Sequence, residues 1–484
     1  MRRRLVAAAV SFAALLALLA PAWAEWTQTR FQIGGYVYRE GALDADYCVL
    51  LNDVGLDWFV QWHGNYTRAT AARVAAVVDS LRVHRAGFTL KVLASYAGAD
   101  PARGDDGAGR LSANDDEPLD LDAIRRSLDP AAGINNAATL GWSLWDEPCD
   151  TLSFGNIGRL SRHIDRQAAA ADRLPYVNLF PSHVYEVTAR DSANCYFRRF
   201  GAGSGMSKAE GYAAYLRAYL SLFDGHPRPA PLLSFDSYPF WVPSAPHRDY
   251  FMNLRLVRDV TAEYGRAGRR VPFWVVVQLS PIRAAGDPRF PAGFGFDHTR
   301  WQVYGALAYG AKGVSYYAVS SARNPQWDGA PGAIEDDGDT VAVRYSQLRR
   351  LNRELHNLGP TLMKLDPVAC FHGSTLGWSG IDDEVFAGPQ SGRGVLSSLG
   401  PAADSVLVGY LKDRENGDDY LLVVNKALTT ARSYTLTLAE AADSLSRIDR
   451  ASGAAVPVGT DTRTLAVNAL APGQGELFRI RRRG

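Results

Sequence analysis

Two carboxylic acids stand side by side at Asp146-Glu147, preceded by Trp142 and Trp145 and followed by Pro148. A third, Asp236, opens the run Asp236-Ser237-Tyr238-Pro239-Phe240-Trp241. A carboxyl set among indole rings is partly desolvated, which raises its pKa and keeps it protonated near neutrality, as a general acid requires. A second, ionised carboxyl supplies the base or nucleophile that such an acid needs across a scissile bond. Asp146 also has a structural alternative, because Asp is a favoured N-cap and Pro a favoured first-turn residue. Asp236 could likewise cap a turn before Pro239, but the rings that follow it are costly to expose unless a ligand covers them.

Other polar and aromatic residues close short apolar runs in the same manner: Gln61-Trp62-His63, Ser95-Tyr96, Asn178 with Ser182-His183 downstream, Gln278, and Tyr316-Tyr317. Aromatic faces stack on the apolar faces of flat ligands, and amides and imidazoles bind hydroxyls, so the set suits a sugar-processing pocket. The expected substrate-binding residues are Trp62, His63, Tyr96, Trp145, Asn178, His183, Tyr238, Trp241, Gln278 and Tyr317. His63 and His183 read equally well as structural histidines. Tyr316 and Tyr317 project to opposite faces of a strand, so only one of them can point inward. No CxxC or His/Cys spacing suggests zinc. The acidic stretches Asp115-Asp116-Glu117 and Glu335 to Asp339 lack the ordered spacing of a calcium loop and read as solvated loops. No metal and no cofactor is expected.

The elements that must carry these residues follow from periodicity. Apolar runs at Phe31–Tyr38, Leu56–Trp62, Phe88–Tyr96, Leu140–Trp145, Pro175–Phe180, Leu232–Phe235, Phe273–Gln278 and Gly313–Ala318 have the composition of buried parallel strands. Between them lie stretches with helical spacing, such as Thr70–His84 with Val74, Val77, Val78 and Leu81 on one face. Eight strands alternating with helices predict a (β/α)8 TIM barrel, in which chemistry gathers at the carboxyl ends of the strands. A doubly wound sheet is the rival, but no Gly-rich phosphate fingerprint follows the first strand. After Asp366 the helical period fades, apart from an expected turn of helix at Ala439–Ser446. Short runs at Val406–Leu411, Tyr420–Asn425, Tyr434–Leu438 and Leu477–Ile480 predict a C-terminal all-β sandwich domain. The expected division is 1–24 leader, 25–365 barrel and 366–484 sandwich.

The leader reads as a secretory signal peptide: Arg2 to Arg4, an apolar stretch from Leu5 to Ala20, and Ala22-Trp23-Ala24 before Glu25. The mature chain is therefore expected to be secreted or periplasmic, with no later membrane span. Removing three leader arginines from 52 basic residues leaves 49 against 51 acidic ones, a charge of −2. That balance lacks the footprint of phosphate-backbone binding, so nucleic acid is excluded as an expected partner. The 484 residues are 47% hydrophobic and exceed what one core normally fills, in keeping with two domains. A disulfide between Cys149 and Cys195 is expected on export, since each follows a predicted strand in loops that should be neighbours, while Cys48 and Cys370 read as buried thiols.

The run Gly141-Trp142-Ser143-Leu144-Trp145-Asp146-Glu147-Pro148 resembles the strand-four segment of clan A glycoside hydrolases, where Asn-Glu-Pro, or a variant with Asp first, carries the acid/base glutamate. Trp301–Tyr317, Tyr345–Leu358 and Pro472–Phe478 are similar to the family forty-two β-galactosidase-like branch and its uncharacterised secreted relatives. The resemblance implies a glycosidase with a carbohydrate substrate and Glu147 as proton donor. In clan A the nucleophilic glutamate ends strand seven, where this chain has Gln278, and an amide cannot form a glycosyl ester. Three possibilities follow. Asp236 supplies the second carboxylate, with inversion at a separation of about 6.5–9.5 Å and retention at about 5–5.5 Å. Alternatively the substrate supplies an N-acetyl nucleophile that Asp146 orients, as in an N-acetylhexosaminidase using Asp146 and Glu147. In the third, a degenerate barrel binds carbohydrate without cleaving it. The first is the principal expectation: a secreted hydrolase of O-glycosidic bonds in an oligo- or polysaccharide.

Overall fold

The computed structural model describes residues 26–39, 43–61, 68–95, 135–148, 151–167, 172–183, 185, 204–224, 230–240, 247–266, 271–280, 294–321, 332–335, 338–374, 377–400 and 405–482. The leader, both cysteines of the expected disulfide (Cys149 and Cys195), and Trp62, His63, Tyr96 and Trp241 lie outside them. No helix among the described residues is long and apolar enough to cross a membrane.

Eight parallel strands close a barrel in sequence order: β1 (Gln32–Val37), β2 (Trp58–Gln61), β3 (Lys91–Ser95), β4 (Thr139–Asp146), β5 (Leu174–Leu179), β6 (Leu233–Asp236), β7 (Phe273–Gln278) and β8 (Gly313–Tyr317). β1 pairs with both β2 and β8, which closes the ring. The described helices around it are α1 (Ala45–Asp53), α2 (Arg68–His84), α3 (Thr151–Arg166), α4 (Lys208–Ser221), α5 (Tyr250–Arg266), α6 (Phe296–Ala308) and α7 (Ala342–Leu362). Strand residues therefore alternate between an outer core shared with the helices and an inner cluster that includes Tyr36, Trp58, Leu140, Tyr176, Trp274 and Val276.

Two indoles plug the barrel. Trp58 and Trp274 stack with centroids 5.4 Å apart, which leaves no open bore. Their bulk is accommodated by glycines: a Cβ at Gly34 would lie 2.1 Å from the Trp58 ring. Gly34→Ala must therefore displace an indole locked in a packed interior. It is expected to lower stability by about 1–3 kcal/mol, read as a lower midpoint in chemical denaturation.

The remaining strands are antiparallel: β9 (Leu365–His372), β10 (Leu396–Leu399), β11 (Val406–Asp413), β12 (Asp419–Asn425), β13 (Arg432–Ile448), β14 (Ala455–Leu470) and β15 (Gly475–Arg481). They form one sheet of order β10-β13-β15-β12-β11-β9, with β14 beside β13. The sheet curls on itself, so that Leu421, Val423, Leu436, Leu465 and Phe478 share one core. The helical turn expected at Ala439–Ser446 is overturned, because this stretch lies within β13. Its helix-forming alanines are overridden by pairing: Ala442 faces Thr462 on β14, and Leu445 faces Gly459 on β14 and Ile480 on β15.

The sheet's other face packs on the barrel. Leu407, Leu411, Leu422 and Leu477 belong to the same core as the helices. A buried polar network crosses the junction beside this contact. Arg258 on α5 donates to Glu384 (2.6 Å), and the Tyr309 hydroxyl donates to Glu384 (2.5 Å) and contacts His372 Nε2 (2.9 Å). Burial, with Lys426 and Arg258 nearby, holds the His372 imidazole well below its usual range and hence neutral. Cys48 and Cys370 are buried free thiols, as expected.

Candidate active site

The acids reach one place because of a local irregularity in β4. Ser143 pairs with Tyr176 and Asp146 with Asn178, but Trp145 pairs with Val177, so the register slips by one residue at Leu144. A bulge of this kind puts two successive residues on one face and reverses the parity beyond it. Leu144 and Trp145 both join the outer core. Asp146 thereby turns to the inner face beside Asn178. Trp145 is thus not a ligand-stacking residue, and Trp142 lies in the outer core too, so neither indole walls the site.

Glu147 follows in left-handed backbone conformation (φ 50°), with its N–H donated to Asn178 O (2.8 Å). This conformation is uncommon for a residue with a side chain and concentrates where function requires it. From β6, Asp236 points inward and is buried. The Glu147 and Asp236 carboxyls lie within hydrogen-bonding reach of each other. Asn178, also buried, donates its single amide nitrogen to Asp146 Oδ1 (3.1 Å) and to Asp236 Oδ1 (3.4 Å). Adjacent ends of β4, β5 and β6 thus hold the Asp146 and Asp236 carboxyls on one amide, with the Glu147 carboxyl against Asp236.

Burial, together with the charges of Asp236 and Asp146, pushes the Glu147 pKa well up. Burial, then Asp146, raises Asp236 to about 7, against the opposing hydrogen bonds from its own backbone, Glu147 and Asn178. Two carboxyls sharing a site cannot both ionise easily, so the pair holds a proton near neutrality.

The rings at this end of the barrel are tyrosines. The Tyr317 ring lies 5.8, 5.6 and 5.3 Å from those of Tyr36, Tyr38 and Tyr238, and its hydroxyl bonds that of Tyr38 (2.6 Å). Below, the Tyr36 and Tyr176 hydroxyls are 3.1 Å apart, and Tyr176 reaches Ser234 Oγ (2.9 Å). Burial, with added repulsion from the carboxylates, raises the pKa of Tyr36, Tyr38, Tyr238 and Tyr317, which stay protonated. Tyr317 is the inward member of its pair. Tyr316 faces outward and donates to Asn352 on α7 (2.7 Å). Tyr36, Tyr38 and Tyr176 were missed in the sequence; the i, i+2 spacing of Tyr36 and Tyr38 along β1 was the available signal.

Gln278 takes a different role from the one expected. It is fully buried; its Oε1 accepts from Phe240 N (2.8 Å), its Nε2 donates to Phe240 O (3.5 Å), and its own N–H donates to Gln302 Oε1 (2.9 Å). The amide staples the loop after β6 and is not offered to a sugar hydroxyl. His183 packs edge-on to Phe180 (6.3 Å). A cavity of about 540 Å³ opens at the opposite end of the barrel, beside Lys312. That ammonium caps the end of α7 through Leu362 O (2.7 Å), a structural task remote from the acids.

No protein-family model matches the chain, and no curated protein does. Among solved structures, the fold is shared with a β-galactosidase from Bacillus circulans sp. alkalophilus, at 12% identity and TM-score 0.50, over 93% of this chain and 99% of that one. A GH42 β-galactosidase from G. stearothermophilus matches at 10% identity and TM-score 0.47, over 95% and 100% of the two chains. A family 39 glycoside hydrolase from Bacteroides cellulosilyticus WH2 matches at 10% identity and TM-score 0.48, over 93% and 81%.

Proposed function

We propose that the protein is a secreted glycoside hydrolase in which Glu147 is the general acid and Asp236 the second carboxylate. One observation carries the reading: the buried Asp236 carboxyl and the half-buried Glu147 carboxyl, both with raised pKa values, lie within hydrogen-bonding reach at the carboxyl ends of barrel strands. The fold shared with a solved β-galactosidase supports it.

This spacing is far short of the roughly 6.5–9.5 Å an inverting pair needs for its water, so the retaining course is the one proposed, with the two carboxyls parting to admit the anomeric carbon. Asp236 attacks the anomeric carbon as the glycosidic C–O bond breaks and Glu147 gives its proton to the departing oxygen. Glu147, now ionised, takes a proton from water. The resulting hydroxide attacks the anomeric carbon, breaks the ester and returns Asp236 as carboxylate. The protonated tyrosines around Tyr317 supply rings and hydroxyls for the sugar.

The test is turnover by the wild type and by Glu147→Gln on a broad panel of aryl glycosides and polysaccharides, with the product anomer followed by NMR. Hydrolysis lost in the variant supports the assignment. Equal inertness of both proteins, with sugar affinity intact, establishes a non-catalytic carbohydrate-binding barrel instead. Cleavage restricted to N-acetylated substrates assigns the nucleophile to the substrate and the orienting role to Asp146.

The pH profile provides an independent check. Asp146 raises the pKa of both Asp236 and Glu147. Asp146→Asn removes that charge, so both acids ionise more readily. The rising and falling limbs of kcat/KM against pH are expected to move together to lower pH, by about one unit. An unmoved profile would show that Asp146 does not act on the pair.

A further inference from the structure

We propose that the sugar taken by this site carries a free, protonated amine, making the substrate class glycosides of amino sugars; this rests on the glycosidase reading above. The argument is a count of donors and acceptors around Asn178. Its amide nitrogen is spent on Asp146 and Asp236. Its carbonyl oxygen is buried and has no donor among the described residues. Turned round, the amide would set its oxygen against the Asp146 carboxylate and lose its shorter bond, so the orientation with nitrogen toward the acids is the favoured one.

A buried acceptor without a donor is costly and calls for an explanation. Here it adjoins two carboxyls, of which two-carboxyl glycoside chemistry with Glu147 needs only one. Asp146 and Asp236 offer acceptors alone when ionised, and Asn178 has only its acceptor left. A hydroxyl can donate one bond into such a place, and its lone pairs then meet further acceptors. An ammonium offers three donors, no lone pair and a charge opposite to that of the carboxylates. It is the common sugar substituent that such a set matches throughout.

The test is direct binding to the Glu147→Gln protein, by calorimetry, of methyl glycosides of glucosamine, galactosamine and mannosamine. The parent hexosides and the N-acetylated forms serve as comparison. At least one amine is expected to bind about 10- to 100-fold tighter than its neutral parent, an advantage that falls with added salt. The same preference, read as the ratio of amine to parent affinity within each protein, should collapse in Asp146→Asn and Asn178→Ala. Equal affinity for amine and parent, preference for the acetamido form, or a preference untouched by both substitutions overturns the proposal. The two readings fail separately. Cleavage of neutral glycosides without amine preference removes only the amine, and tight amine binding with no hydrolysis of any glycoside by the wild type removes only the enzyme.

Discussion

Glu147→Gln is expected to lower kcat by about 10²–10⁴-fold while leaving affinity for the sugar within a few-fold of wild type. The size follows from the function lost. A general acid removes about 3–5 kcal/mol of barrier by neutralising the departing oxygen, and an amide holds no transferable proton. The Gln amide keeps the shape and the hydrogen bonding of the site, so ground-state binding survives. Leaving-group dependence sharpens the test. Aryl glycosides with good leaving groups need little protonation and should lose far less rate than unactivated sugars. A uniform loss across leaving groups would show that the substitution damaged the site rather than its acid.

Asp236→Asn is expected to abolish turnover to a similar or greater degree, and at the same time to stabilise the protein above neutral pH. The activity loss follows because an amide oxygen cannot form the ester. Azide should rescue Asp236→Ala and release an inverted glycosyl azide if Asp236 is the nucleophile. The stability gain comes from the raised pKa. A carboxyl whose pKa is higher folded than unfolded carries no penalty below the unfolded value. The penalty grows as pH rises between the two and stays constant above the folded one. For Asp236 that window runs from 3.8 to about 7. Asp236→Asn removes the penalty, so its unfolding midpoint should exceed that of wild type by a few degrees at pH 8 and match it near pH 3, on the order of 2 kcal/mol. Thermal unfolding at the two pH values decides it. Activity bought with stability is the pattern of a functional site.

The barrel was legible because its strands are buried on both faces and read as continuous apolar runs; Phe273 to Gln278 is such a run, and β7 occupies those residues. The acids were legible for the same reason, since each closes such a run. What could not be read was direction. The one-residue slip at Leu144 leaves no mark in composition, yet it sends Trp145 outward and Asp146 inward. Gln278 closes its strand as expected, but its partner Phe240 sits 38 residues away in the chain, and only folding brings them together. In the C-terminal sheet, the strands that pair edge to edge were visible where they alternate. Ala439 to Ser446 was not, because its β form depends on neighbours and not on its own residues.

The polar knot of Arg258, Tyr309, His372 and Glu384, set beside leucines shared by barrel and sheet, has a consequence for how the protein breaks. Truncating the chain ahead of β9 would strip α5 and α6 of their cover and leave the Arg258 guanidinium stranded without its principal acid. The barrel is therefore not separable from the sheet by a protease or by genetic shuffling, and heat should melt both halves in a single step.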